Sequence, residues 1–127
     1  MVKTKVIIDS NVFVAFYNSN DSLHDKAVLV LGELKDCELI IHSYVIQEVS
    51  TILAYRFGKN LANTFIHEIL SSKNVMIIDS SIVKEMNSFL KNQKKFSFVD
   101  HALLALSQET NIPLITFDKD LLRAYKI

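Results

Sequence analysis

The chain has 127 residues, 50% of them hydrophobic and 22% charged, with fourteen basic residues against fourteen acidic ones. That is the balance of one soluble globular domain over residues 1–127, and its zero net charge excludes a global positive field for nucleic acid, so any such ligand needs a local basic patch. A lone cysteine, Cys37, excludes an internal disulfide and a multi-cysteine zinc site. Together with the lack of a signal peptide or a membrane-length apolar run, it points to the cytoplasm. Two glycines and one proline imply regular elements joined by short loops.

Val6-Ile7-Ile8 is a run of β-branched residues without polar alternation. It reads as a strand buried on both faces, as in a parallel sheet covered by helices. The run stops at Asp9, and in open α/β sheets the carboxyl ends of strands carry ligands. Asp9 is therefore a site candidate, although Asp9, Ser10 or Asn11 also suits the cap of a helix over Val12 to Tyr17. After a polar loop, Ser22 with Asp25 three residues on suggests a capped helix bearing Leu23, Ala27, Val28, Leu31 and Leu34.

Leu39-Ile40-Ile41 predicts a second strand, and Ser43 the cap of a helix from about Tyr44 to Phe57 that ends at Gly58. Its apolar stripe is Val45, Val49, Ile52 and Leu53, and Glu48 falls on or beside it, where a carboxylate needs a reason. A border position reaching water or a basic neighbour is the plain explanation. The next helix, Leu61 to Leu70, has strong helical period. Tyr55, Phe57 and Phe65 cluster around the Gly58 turn, more aromatic surface than a small domain readily covers, which predicts a homodimer.

Val75-Met76-Ile77-Ile78 predicts a third buried strand, followed by Ser80 or Ser81 as cap of a helix with Ile82, Val83, Met86, Phe89 and Leu90. Lys91, Lys94 and Lys95 form the main basic cluster; a solvated helix end explains them, and so does a hold on phosphate near an acidic site. Ser97 and Asp100 form a capping-box pair at the start of a mostly apolar, buried helix from Phe98 to about Gln108. Pro113 to Phe117 is the fourth strand, with Asp118-Lys119-Asp120 at its carboxyl end before a short helix Leu121 to Tyr125. Strand, helices, strand, helices, strand, helices, strand is the α/β signature with right-handed crossovers.

Singly, each acid has a capping or turn explanation. Together, Asp9, Asp118 and Asp120 follow strand ends, while Glu48 and Asp100 lie in first turns of helices starting at the same edge. Carboxylates gathered on one rim repel unless a cation neutralises them, and hard oxygen ligands select magnesium or manganese. Such a centre suits attack of water on a phosphodiester.

These residues resemble the PIN-domain ribonucleases, including VapC-type toxins of toxin–antitoxin modules, over nearly the whole chain. Ile8-Asp9-Ser10-Asn11 is similar to the family's first acid motif, Ile46-Gln47-Glu48-Val49 to the second, Ser97-Phe98-Val99-Asp100 to the third, and Thr116-Phe117-Asp118-Lys119-Asp120 to the fourth. The resemblance implies a three-layer α/β/α domain with a central parallel sheet ordered 3-2-1-4, and Mg2+- or Mn2+-dependent cleavage of single-stranded or loop RNA. Asp9, Glu48, Asp100 and Asp118 would hold the metal; Ser10, Asn11, Ser97, Thr116 and Asp120 would orient them; Lys94, Lys95 and Lys119 would meet the RNA. It also implies a cognate antitoxin. Two departures stand out. The family commonly continues into a fifth strand, which the end at Ile127 leaves absent or supplied by a partner, and Leu121 stands where an aromatic is usual.

A phosphoryl-accepting receiver or phosphatase fits poorly, since Ser10, Asn11 and Thr116 replace the second acid and lysine it wants. Gly32 and Gly58 form no phosphate loop, and His24, His42, His67 and His101 lack zinc spacing, each reading as surface or satisfied core. A stand-alone RNA-processing nuclease and a non-catalytic PIN-like interaction module remain as alternatives, the latter usually having lost an acid.

Overall fold

Val6, Ile7 and Ile8 are all buried, though successive side chains point to opposite faces. Only a strand covered by helices on each side allows that. In the computed structural model, which describes residues 3–125, this segment is β1 (Lys5–Ile8), and it lies inside the sheet. It pairs in parallel with β2 (Glu38–His42) on one side and β4 (Leu114–Ile115) on the other, and β2 pairs with β3 (Val75–Ile78), giving the order 3-2-1-4. Ile7 stands opposite both Ile40 and Leu114, so the buried row runs on from strand to strand. No fifth strand occurs among the described residues; residues 126–127 lie outside them.

Helices α1 (Ser10–Tyr17) and α2 (His24–Glu33) cross from β1 to β2, and α3 (Ser43–Phe57) and α4 (Lys59–Ser71) from β2 to β3. Then α5 (Ile82–Lys91) and α6 (Phe98–Thr110) return across the sheet to β4, followed by α7 (Lys119–Tyr125). Two crossovers step one way and the third steps back, so right-handed connections put α1 to α4 on one face and α5 and α6 on the other. The result is the three-layer α/β/α arrangement expected. The core joins Ile7, Ile8 and Ile41 of the sheet to Val45, Val49 and Leu53 of α3, Phe65 of α4 and Leu103 of α6, all fully buried. Each such side chain contributes about 1.5–3 kcal/mol.

Several local expectations are corrected. The α1 cap is Asp9, whose carboxylate accepts from the Ser10 amide, so the helix begins at Ser10 rather than Val12. The α2 helix begins at His24 without a side-chain cap, because Asp21 rather than Ser22 takes the turn, accepting from the Leu23 amide. The α3 cap is His42, not Ser43: its Nδ1 accepts from the Tyr44 amide. Phe65 belongs to the core, packed on Phe13 and Tyr17 at 5.6 and 5.7 Å between ring centroids, and cannot serve an exposed aromatic cluster; Tyr55 and Phe57 are exposed.

The larger correction concerns β3 and α5. The third strand is an edge with Met76 and Ile77 exposed, not a buried strand, because it has β2 on one side and no strand on the other among the described residues. The apolar residues of α5, Ile82, Val83, Met86, Phe89 and Leu90, are also exposed, while Glu85 of the same helix is buried. Periodicity shows that a helix has two unlike sides, and not which side meets the protein.

Candidate active site

The apolar run of β1 delivers Asp9 to the carboxyl rim of the sheet, where the carboxylate caps α1 through Oδ1, accepting from the Ser10 amide at 2.7 Å. Its Oδ2 accepts from the Thr116 hydroxyl at 2.7 Å, just beyond the end of β4. Thr116 in turn accepts from Asn11 Nδ2 at 3.0 Å and from the Asp118 amide at 3.1 Å, and Asn11 Oδ1 accepts from the Phe117 amide at 3.1 Å. Asn11 and Thr116 thus lock the β1–α1 junction to the turn that carries Asp118. Asp118 caps α7, its Oδ1 accepting from the amides of Asp120 and Leu121 at 2.9 and 3.1 Å.

Glu48 is the sixth residue of α3, in its second turn rather than its first, and is half-buried. The Ser10 hydroxyl donates to Glu48 Oε1 while lying 3.4 Å from Asp9 Oδ1, so one serine ties the first two acids together. Asp100 stands at the third position of α6, where its amide donates to the Ser97 hydroxyl oxygen at 3.0 Å. Capping and site membership are therefore not rivals here. The caps are what fix the acids.

Electrostatics shows that the four share one region. Burial pushes the Asp9 carboxyl up to about 6 against the lowering pull of Thr116 and Ser10, with the charges of Asp100 and Glu48 raising it further. Burial also raises Asp100; Ser97 opposes this, and Asp118 and Glu48 add repulsion. Among the described residues the ion pairs are Lys84–Glu109 and Arg123–Asp120, and neither involves the four acids. Among the same residues no three acidic, histidine or cysteine side chains form a ready-made ligand set for an ion. Yet the donors are all hard carboxylate oxygens that repel one another and have no cationic side chain paired to them, a set whose chemistry fits Mg2+ or Mn2+.

The remaining expected residues divide. Asp120 is exposed and its carboxylate faces Arg123 at 3.5 Å, so it meets the other acids only through its amide on Asp118. Lys94 and Lys95 are exposed in the segment before α6, and the Lys94 carbonyl lies 3.1 Å from His101 Nε2, which pins that segment. Lys119 is exposed at the start of α7. The histidines are surface or satisfied core as read, with buried His42 meeting Ser80 Oγ at 2.7 Å.

Two features escaped the sequence reading. Lys26 of α2 stands 5.2 Å from the centre of the Phe117 ring, beside Asp118, and no local pattern marks it. A cleft of about 480 Å³ also opens against Glu48, lined by Tyr44, Gln47, Thr51, Ile52, Ile82, Phe98 and Val99. Its signal was present, since Tyr44, Gln47, Glu48 and Thr51 recur at helical spacing along one side of α3.

A doubly wound parallel sheet whose carboxyl rim gathers carboxylates from separate elements defines an acidic-centre α/β domain. The family model of the PIN domain matches residues 6–127, and the chain belongs to that family. Two solved structures share the fold. One is VapC20 of Mycobacterium tuberculosis, described as a sarcin-ricin loop cleaving toxin, at 22% identity and a TM-score of 0.81 over 94% of both chains. The other is FitAcB of Neisseria gonorrhoeae, at 13% identity and a TM-score of 0.65 over 96% of this chain and 94% of that one. No curated protein matches.

Proposed function

We propose that the protein is a Mg2+- or Mn2+-dependent endoribonuclease acting on single-stranded or loop RNA, and the toxin of a cytoplasmic toxin–antitoxin pair. The observation that carries this reading is the convergence of Asp9, Glu48, Asp100 and Asp118, mutually repelling and without a cationic partner, on the rim of a PIN fold. These four would hold the ion, which supplies charge neutralisation and Lewis acidity toward phosphate oxygens. Ser10, Asn11 and Thr116 keep Asp9, Glu48 and Asp118 in place, and Ser97 fixes the start of the helix that presents Asp100. Lys94, Lys95 and Lys119, with Lys26, offer the local positive charge that the neutral chain otherwise lacks. The cleavage of the sarcin-ricin loop described for VapC20 supports an RNA loop as substrate. A cognate antitoxin is the partner this reading implies. A second copy is the other, supported by the exposed apolar surface of α5.

The test compares Asp100→Asn with Asp120→Asn. Asn keeps an oxygen at either position, so a purely capping Asp100 tolerates the change. As a metal ligand, Asp100→Asn abolishes manganese-dependent cleavage of single-stranded RNA by about two orders of magnitude or more while the metal-free fold stays as stable. Asp120→Asn costs far less. Near-normal cleavage by Asp100→Asn, or cleavage undiminished by a chelator, defeats the mechanism.

A further inference from the structure

The cleft beside Glu48 has more structure than a surface dent. Tyr44, Gln47, Glu48, Thr51 and Ile52 of α3 form one wall, and Ile82 of α5 with Phe98 and Val99 of α6 form the other. Both aromatics have a further aromatic ring against them. The Tyr44 ring lies 4.3 Å from the buried His42 ring, and Phe98 lies 5.7 Å from Phe89. The two stand 6.0 Å apart at 62°, half-buried, so each is fixed by packing. Glu48 is the only charged residue in the lining, and Gln47 and Thr51 add an amide and a hydroxyl at exposed positions.

This cleft is continuous with the acid cluster. Glu48 belongs to both, and Phe98 and Val99 immediately precede Asp100 in the first turn of α6. We infer that it binds a nucleobase of the RNA, the base of a nucleotide next to the phosphodiester held at the acids, by stacking on Tyr44 and Phe98 and hydrogen bonding to Gln47 and Thr51. The inference rests on the nuclease reading and names how that site grips its substrate. A phosphate seated at the acids leaves its flanking bases within a nucleotide's length, and unstacked bases seek aromatic surface. No basic side chain lines the cleft, so it suits the neutral ring of a nucleotide and not its phosphate. Ile82 is shared with the exposed apolar face of α5, so a second copy docked there would border the cleft, and the dependence on protein concentration in the experiment separates that case.

The experiment follows the methyl groups of Ile52, Ile82 and Val99 by NMR in the full chain while adenosine, guanosine, cytidine and uridine 5′-monophosphates are added with Mg2+. At least one nucleotide is expected to shift these methyls saturably. Its affinity should fall about tenfold in Tyr44→Leu, which keeps apolar bulk but removes the ring. Thr51→Trp blocks the mouth from an exposed position and should do the same, covering the case in which Tyr44→Leu does not fold. With single-stranded RNA both variants should raise KM about tenfold and change kcat far less, whereas Asp100→Asn should lose kcat and keep the methyl shifts. Methyls unmoved by every nucleotide, or moved only by raising the protein concentration, overturn the inference even if RNA is cleaved. Saturable shifts in a protein that cleaves no RNA support the base site while removing the nuclease reading.

Discussion

Asp9 carries two duties that pull on its chemistry in opposite directions. As a cap it must be an acceptor, and as a buried carboxylate among other acids it resists ionising; its carboxyl rises from 3.8 to about 6. A folded-state value above the unfolded one means that the contribution to stability is fully present below pH 3.8 and is lost as pH rises through about 6. The metal-free protein should therefore give up at most about 3 kcal/mol across that window through this residue. Asp9→Asn should flatten the loss, as urea unfolding in chelator at pH 4, 5, 6 and 7.5 will show; an unchanged pH profile refutes the assignment. Ser10 is the complementary case. Removing its hydroxyl in Ser10→Ala leaves Asp9 and Glu48 adjacent without their shared donor, and metal affinity, measured by calorimetry, should fall about 10-fold or more. Asp9, Glu48, Asp100 and Asp118 were visible in the sequence because acids that each have a plain explanation singly all fall at the same rim, where together they repel. The sequence could not show that Lys26 reaches Phe117, since that depends on how distant elements dock, whereas the pairing of Asp120 with Arg123 is a local i,i+3 spacing that was open to reading.

At the scale of elements, α3 starts on a buried histidine. His42 Nδ1 accepts from the Tyr44 amide at 3.0 Å and Nε2 meets Ser80 at 2.7 Å, and burial holds the ring below its ordinary value, with Asp79 pulling the other way. A depressed value means that stability is present above the unfolded pKa of about 6.5 and declines as pH falls through the folded one. His42→Ala removes the cap and opens a cavity, for a loss of about 3 kcal/mol by chemical denaturation. It should also flatten the acid side of the stability profile; an acid limb as steep as in the parent would discount the role. Serine is the commoner cap, which is why Ser43 drew the sequence reading and the histidine beside it did not. Strands β1 and β2 were legible because a β-branched run with no polar break has one good explanation. Strand β3 reads the same in sequence and turned out to be an edge, because strand order, not composition, decides which strand is left uncovered.

The whole molecule leaves an apolar surface along α5, where Ile82, Val83, Met86, Phe89 and Leu90 are exposed. A patch of this kind marks an interaction site. In a homodimer it is the natural contact, in place of the Gly58 region from which Phe65 is withdrawn into the core. Leu90→Glu should shift the protein toward monomer in sedimentation at micromolar concentration while leaving the melting temperature of the metal-bound fold nearly unchanged. A parent already monomeric under those conditions would remove the contact. Binding of manganese only to the folded acid cluster should raise that melting temperature, and chelation should reverse the rise. Alternation of strands and helices made the α/β class legible, while the strand order 3-2-1-4 was legible only through the resemblance to a family.

Gly58 is both the last cap of α3 and the first of α4, and its φ of 104° with ψ of 163° lies where essentially only glycine is at ease. Two long helices joined by one residue form a hinge without play. An inserted residue would break this one-residue junction and change the direction in which α4 leaves α3, drawing Phe65 from its seat. Between α5 and α6, by contrast, residues 92–97 have no regular structure, tethered through Lys94 to His101. Asp9 and Glu48 thus sit on tight junctions, while Asp100 reaches the rim through a longer loop that is held at Lys94 and at the Ser97 cap. Like a vice already closed, the scaffold sets the width of the acid rim before anything is gripped, since α6 is seated by Leu103 and Leu104 in the core.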